Sequence, residues 1–165
     1  MGAANATAQH GTLLLVQSDQ ALHRTLEALF ADFNVICSDA SEQALTLVRR
    51  AEPDVVLFDL GAAREPALAT KELELLRQIL TLAPNPKIIA MTVPDARELA
   101  VQAAGLGAAD FYHKPIVAGV LSIVVRRAFR IRELEEENWR LREQTGAMAL
   151  EGIIGASDAK PVPCH

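Results

Sequence analysis

The chain has 165 residues, half of them hydrophobic, with a formal charge of −5 and only 4% aromatic side chains. That size and apolar content fit one globular domain plus an appendage and exclude a disordered chain. An acidic balance with few aromatics offers neither the basic stripe nor the stacking platform of a nucleic-acid binder.

No apolar run reaches the length of a membrane span. Residues 1–11 lack the charged and apolar regions of a signal peptide and read as a disordered N-terminus. A cytoplasmic location is the expectation. Cys37 and Cys164 make neither a disulfide framework nor a metal spacing, and Cys37, closing an apolar run, reads as a buried free thiol.

Thr12 to Val16 is the first buried strand, and Gln17-Ser18-Asp19 breaks it and offers an N-cap. Ala21 to Ala31 follows as a helix with Leu22, Leu26, Leu29 and Phe30 on one face. Phe33 to Cys37 is the second strand. Asp39 and Glu42 stand at capping-box spacing before a helix that ends near Ala51, where Glu52-Pro53 stops it. Val55 to Phe58 is a short β-branched run that reads as a strand buried on both faces, and Asp59 follows at once. Ala67 to Ala83 is a helix, Lys87 to Met91 the fourth strand. Asp95 and Glu98 repeat the capping-box spacing ahead of a helix closed by Gly107. Ala109 to Tyr112 is the fifth strand, with His113-Lys114-Pro115 as the loop after it, and a long helix starts near Val117.

Strand and helix alternate five times. The pattern predicts an α/β fold: a five-stranded parallel sheet, doubly wound, with helices on both faces. No GxGxxG follows the first strand and no GxxxxGK[ST] occurs, so a nucleotide-binding version is poorly supported.

Asp59, Thr92 and Lys114 each fall directly after a strand, and a parallel sheet brings such ends together. A carboxylate, a hydroxyl and an ammonium suit a phosphoryl site: one attacks, one donates a hydrogen bond, one neutralises charge. Taken singly, Asp59 and Lys114 also fit a structural ion pair and Thr92 a helix cap.

The segments DVVLFD, KIIAMT and GAADFYHKP resemble the receiver domain of two-component response regulators, over about Thr12 to Ala128. The resemblance implies a flavodoxin-like, receiver-type sheet and a phosphorelay role. It makes Asp59 the phospho-acceptor, Thr92 and Phe111 the switch pair and Lys114 the phosphate-binding lysine, with a Lys-Pro bond that is usually cis. It also implies a histidine kinase as partner and Mg²⁺ as cofactor, with Asp59 and the Gly61 carbonyl among its ligands. The two adjacent acids that normally hold Mg²⁺ are replaced by Gln17 and Ser18, and Asp19, one place on, is expected to point elsewhere. Metal affinity should therefore drop steeply. Arg64 adds a cation to the loop after Asp59. The wording of Gly105 to Pro115, Arg127 to Leu141 and Gly152 to Ser157 looks most like activators of the PEP-CTERM exopolysaccharide type, whose AAA+ and DNA-binding domains would follow.

Residues 12–128 are thus expected to form the receiver-like domain, 129–145 an extended helix and 146–165 a flexible tail, with Gly146 ending the helix. Ile131, Leu134, Asn138 and Leu141 follow a 3-4 repeat with Asn138 at a core position, which favours a parallel homodimer. Arg130 would face Glu135 of the second copy and Glu137 its Arg142. The repeat spans about two heptads.

Three functions compete. The first is a receiver that takes a phosphoryl group on Asp59 and signals through a dimerising exit helix. The second is a phosphorylation-independent pseudo-receiver, a dimeric protein-interaction module favoured by Gln17 and Ser18. The third, a small hydrolase on the same fold, lacks a phosphate loop and a His–Ser or His–Cys constellation. On either of the first two the chain is a signalling module and not a metabolic enzyme, and binds neither nucleic acid nor membrane.

Overall fold

The computed structural model describes residues 11–17, 19–39, 41–60 and 66–156. Two compact units divide the chain, Met1–Arg132 and Glu133–His165. Its strands are β1 (Thr12–Val16), β2 (Asn34–Ser38), β3 (Val55–Asp59), β4 (Lys87–Thr92) and β5 (Asp110–His113). The helices are α1 (Gln20–Leu29), α2 (Glu42–Ala51), α3 (Pro66–Leu82), α4 (Arg97–Leu106) and α5 (Ala118–Ala156).

All five strands run parallel in the order β2-β1-β3-β4-β5. Successive side chains of a strand point to opposite faces, and the two cores follow that rule. Leu13, Leu15, Val55, Leu57, Ile89 and Met91 pack with Leu26 of α1, with Phe30 at its C-cap and with Leu121 and Val125 of α5. Leu14, Val16, Val56, Phe58, Ile88 and Ala90 pack with Val48 of α2, Leu76 and Ile79 of α3 and Ala103 of α4. β3, central in the sheet, is buried at every residue. The strand order reverses between β1 and β3, which opens a crevice at their carboxyl ends.

α5 is anchored to the sheet by its first turns. Phe129 stacks on Phe33 with centroids 4.2 Å apart. Arg126 lies over the same ring at 5.0 Å and pairs with Asp32 at 2.8 Å. Gly11, expected within a frayed terminus, is instead held in place: its carbonyl accepts from Asn34 N at 2.9 Å. Its φ is +150°, and a Cβ there would meet Phe129 Cε1 at 2.8 Å and Asp54 Oδ2 at 2.9 Å.

Three local expectations are corrected. Ser41, not Asp39, caps α2, its Oγ accepting from Gln43 N at 3.2 Å. Asp39 instead accepts from the Ser41 hydroxyl, which holds that cap in place. Ala96 precedes α4 with no side-chain cap; bonds from Ala96 N to Val93 O and Leu99 N to Ala96 O tighten the turn in its place. Gly146 does not end α5, which runs on to Ala156. A helical glycine costs only about 1 kcal/mol relative to alanine, and Ala147, Met148, Ala149, Leu150 and Glu151 after it are strong helix formers.

Candidate functional site

Asp59 is the last residue of β3, Thr92 the last of β4, and Lys114 the first beyond β5. Parallel pairing sets their relative heights: Asp59 stands opposite Met91, and Thr92 opposite His113. Two backbone bonds of 2.7 Å lock the strand exits, Leu60 N to Met91 O and Lys114 N to Thr92 O. Lys114-Pro115 is cis.

Lys114 Nζ lies 2.7 Å from Asp59 Oδ1, with the carboxylate side chain 3% exposed and the lysine 21%. That oxygen has no other hydrogen-bond partner among the described residues. Burial is the largest influence on Asp59 and raises its carboxyl above the ordinary value. The Lys114 hydrogen bond and charge work against it, and the Asp19 carboxylate adds to the rise. A cation held beside a buried carboxylate can neutralise the charge of an anion brought up to that carboxylate.

Thr92 is fully buried, and its hydroxyl pairs with His113 Nδ1 at 3.1 Å and not with Asp59. His113, expected in the loop, is the last residue of β5, opposite Thr92 across the sheet. Its ring meets Phe111 edge-on, centroids 5.6 Å apart, while Phe111 itself is 43% exposed. So His113 links the two residues that the resemblance paired. Only the register of β4 and β5 places it there. Tyr112 points inward and its hydroxyl accepts from Val117 N at 2.7 Å, which ties β5 to the start of α5.

Asp19 caps α1, accepting from Ala21 N at 3.0 Å and Leu22 N at 3.3 Å. Both bonds go to Oδ1, which ties that oxygen to the helix, yet the Asp19 charge still reaches Asp59. Gln17 is 2% exposed. Ser18, Gly61 and Arg64 lie outside the described residues, as do Cys164 and His165. No group of three His, Cys, Asp or Glu residues stands at metal-binding distances among the described residues. With the Asp59 carboxylate already paired with Lys114, Asp19 capping α1 through Oδ1 and an amide at Gln17 in place of a carboxylate, the described residues are a poor donor set for Mg²⁺, which takes hard oxygens and usually carboxylates. The metal that receivers typically hold would be held weakly here.

Residues 13–126 match the family model of the response regulator receiver domain. The chain belongs to that family. This receiver is 36% identical over 134 residues to the C4-dicarboxylate transport transcriptional regulatory protein DctD of Pseudomonas aeruginosa, covering 79% of this chain and 28% of that protein. It is 32% identical over 128 residues to the regulatory protein AtoC of Escherichia coli, covering 76% and 26%. To the alginate biosynthesis regulatory protein AlgB of Pseudomonas syringae it is 29% identical over 131 residues, covering 78% and 28%. The crystal structure of NtrX from Brucella abortus superposes with a TM-score of 0.71 at 26% identity, over 82% of this chain and 30% of that one. The receiver spans less than a third of the length of these relatives. Receivers as a class interact with histidine kinases and are signalling modules. Among the described residues no helix is long and apolar enough to cross a membrane.

Proposed function

We propose that Asp59 accepts a phosphoryl group from a phosphohistidine donor, and that this receiver passes the change through Thr92, His113 and Phe111 to its exit helix. The observation that carries the proposal is the buried Asp59–Lys114 pair at the carboxyl ends of β3 and β5. In the step, an Asp59 oxygen forms a bond to phosphorus and the donor's N–P bond breaks. The electron pair leaves with the imidazole, which takes a proton from solvent. Lys114 neutralises charge on the transferred oxygens. Such a receiver is a signalling module, not a metabolic enzyme, and a cytoplasmic location suits it. The kinase or another signalling protein is its partner, with no direct contact to nucleic acid or membrane.

A parallel homodimer through the exit helix belongs to the same proposal. Ile131, Leu134 and Leu141 are 41%, 53% and 55% exposed, an apolar series at 3-4 spacing that a second copy would cover. The narrower likeness to PEP-CTERM-type activators rests on the wording of the three segments quoted above.

Intact-mass spectrometry after incubation with acetyl phosphate, across a Mg²⁺ series, tests the acceptor. One phosphoryl adduct on the wild type and none on Asp59→Asn is the expected result. No adduct at any Mg²⁺ concentration, from acetyl phosphate or a phosphorylated kinase domain, would refute it. Sedimentation of Leu134→Asp against wild type tests the dimer, which the variant should dissociate.

A further inference from the structure

The Thr92 side chain is buried from water, and its hydroxyl has one hydrogen-bond partner among the described residues, His113 Nδ1 at 3.1 Å. A hydroxyl has a single hydrogen to give. Buried polar hydrogens are ordinarily satisfied, which assigns that hydrogen to Nδ1 and leaves the ring its own on Nε2. In the resting receiver the Thr92 proton is therefore committed to His113 and not to the site at Asp59.

The backbone does not make this choice. β4 and β5 are paired as far as Thr92 and His113, and Lys114 N donates to Thr92 O at 2.7 Å just beyond. What is left to change is the Thr92 side chain, which turns about Cα–Cβ between staggered positions. A phosphoryl oxygen on Asp59 and the His113 ring thus compete for one hydrogen. Exposure decides what the exchange costs. Thr92 has no water to fall back on, whereas His113 is exposed and can replace its lost partner with water. Passing the hydrogen to a phosphoryl oxygen then strands neither side chain. The ring released is the one whose edge meets Phe111, at a centroid distance of 5.6 Å.

We propose that His113 is a positioning residue of the phosphoryl site: its Nδ1 holds the Thr92 hydroxyl in reserve, and the strength of that bond sets how tightly the site takes a phosphoryl group. The inference rests on the reading of Asp59 as acceptor and adds to it a residue to which the receiver resemblance gave no role.

The test is NMR of the full chain, ¹⁵N-labelled in histidine, titrated with beryllofluoride as a phosphoryl mimic across a Mg²⁺ series. In the free protein the Nδ1 signal of His113 should be that of an unprotonated nitrogen accepting a hydrogen bond. Thr92→Val should abolish that hydrogen-bond shift, and so should saturation of the wild type with the mimic. Affinity is read from the ¹⁹F signal of the bound mimic, which serves for every variant. His113→Phe leaves the hydroxyl without an acceptor in the free protein alone, so it should bind the mimic at least about fivefold more tightly. His113→Asn, whose side-chain oxygen lies as many bonds from the backbone as Nδ1, should return the affinity toward wild type. With Thr92→Val already present, His113→Phe should change nothing. A site merely damaged by the substitution would bind more weakly, the opposite sign. A protonated Nδ1 in the free protein, or equal or weaker binding by His113→Phe, would overturn the proposal and leave Asp59 as acceptor. No binding by the wild type at any Mg²⁺ concentration would overturn both.

Discussion

Replacing Lys114 with methionine removes the cation beside Asp59 and keeps a side chain of similar reach. The carboxylate side chain is 3% exposed, so its charge stays buried without a partner. Breaking a buried pair in this way costs about 3–5 kcal/mol. Protonation sets a ceiling: neutralising an ordinary aspartate at pH 7 costs about 4 kcal/mol, at about 1.36 kcal/mol per pH unit. The expected loss for Lys114→Met at pH 7 is therefore about 2–4 kcal/mol. The sign of its pH dependence follows from the direction of the shift. Asp59 already titrates above its ordinary value when folded, and losing Lys114 raises it further. The folded state then binds more protons than the unfolded one, so stability falls as pH rises above the ordinary carboxylate value. The loss should shrink to under about 1 kcal/mol near pH 4.5. Urea unfolding followed by far-UV circular dichroism, at one protein concentration and both pH values, reads it. Asp59→Asn should suppress most of the effect of Lys114→Met. A loss below about 1 kcal/mol at pH 7, or one independent of pH, would refute the reasoning that Asp59 is a buried charge held by Lys114.

Other outcomes follow from the same geometry. His113→Phe strands the buried Thr92 hydroxyl and should cost about 1–3 kcal/mol, whereas adding Thr92→Val should recover most of that loss in a double-mutant unfolding cycle. Burial, with the Glu27 hydrogen bond and charge behind it, pushes the Cys37 thiol up to about 11 from 9.0. Peptide-resolved mass spectrometry should accordingly find Cys37 alkylated by iodoacetamide at pH 8 about a hundredfold more slowly than a free thiol. Gly11→Ala forces a Cβ against Phe129 and Asp54 at a positive φ and should lower stability by about 1–3 kcal/mol in urea unfolding.

Much of this receiver is legible in its residues alone. The β-branched run before Asp59, the 3.6-residue periodicity of the helices and the punctuation at Glu52-Pro53 and Pro84-Asn85-Pro86 are local signals, and they place five parallel strands with Asp59, Thr92 and Lys114 at their ends. Local signals do not specify partners. Whether Thr92 faces Asp59 or His113 depends on the register between β4 and β5, which nothing within either strand encodes. Ser41 rather than Asp39 becomes the cap because a hydrogen bond between the two orients the serine. Gly11 looks like the last residue of a frayed end until Phe129, more than a hundred residues on, packs against it. The unpaired amide of Gln17 emerges only once β1, β2, α1 and α2 enclose it. Periodicity and turn chemistry act over a few residues, so the sequence by itself determines the elements and their order. Hydrogen-bond satisfaction and charge burial act between elements, so only the tertiary structure decides which side chains meet.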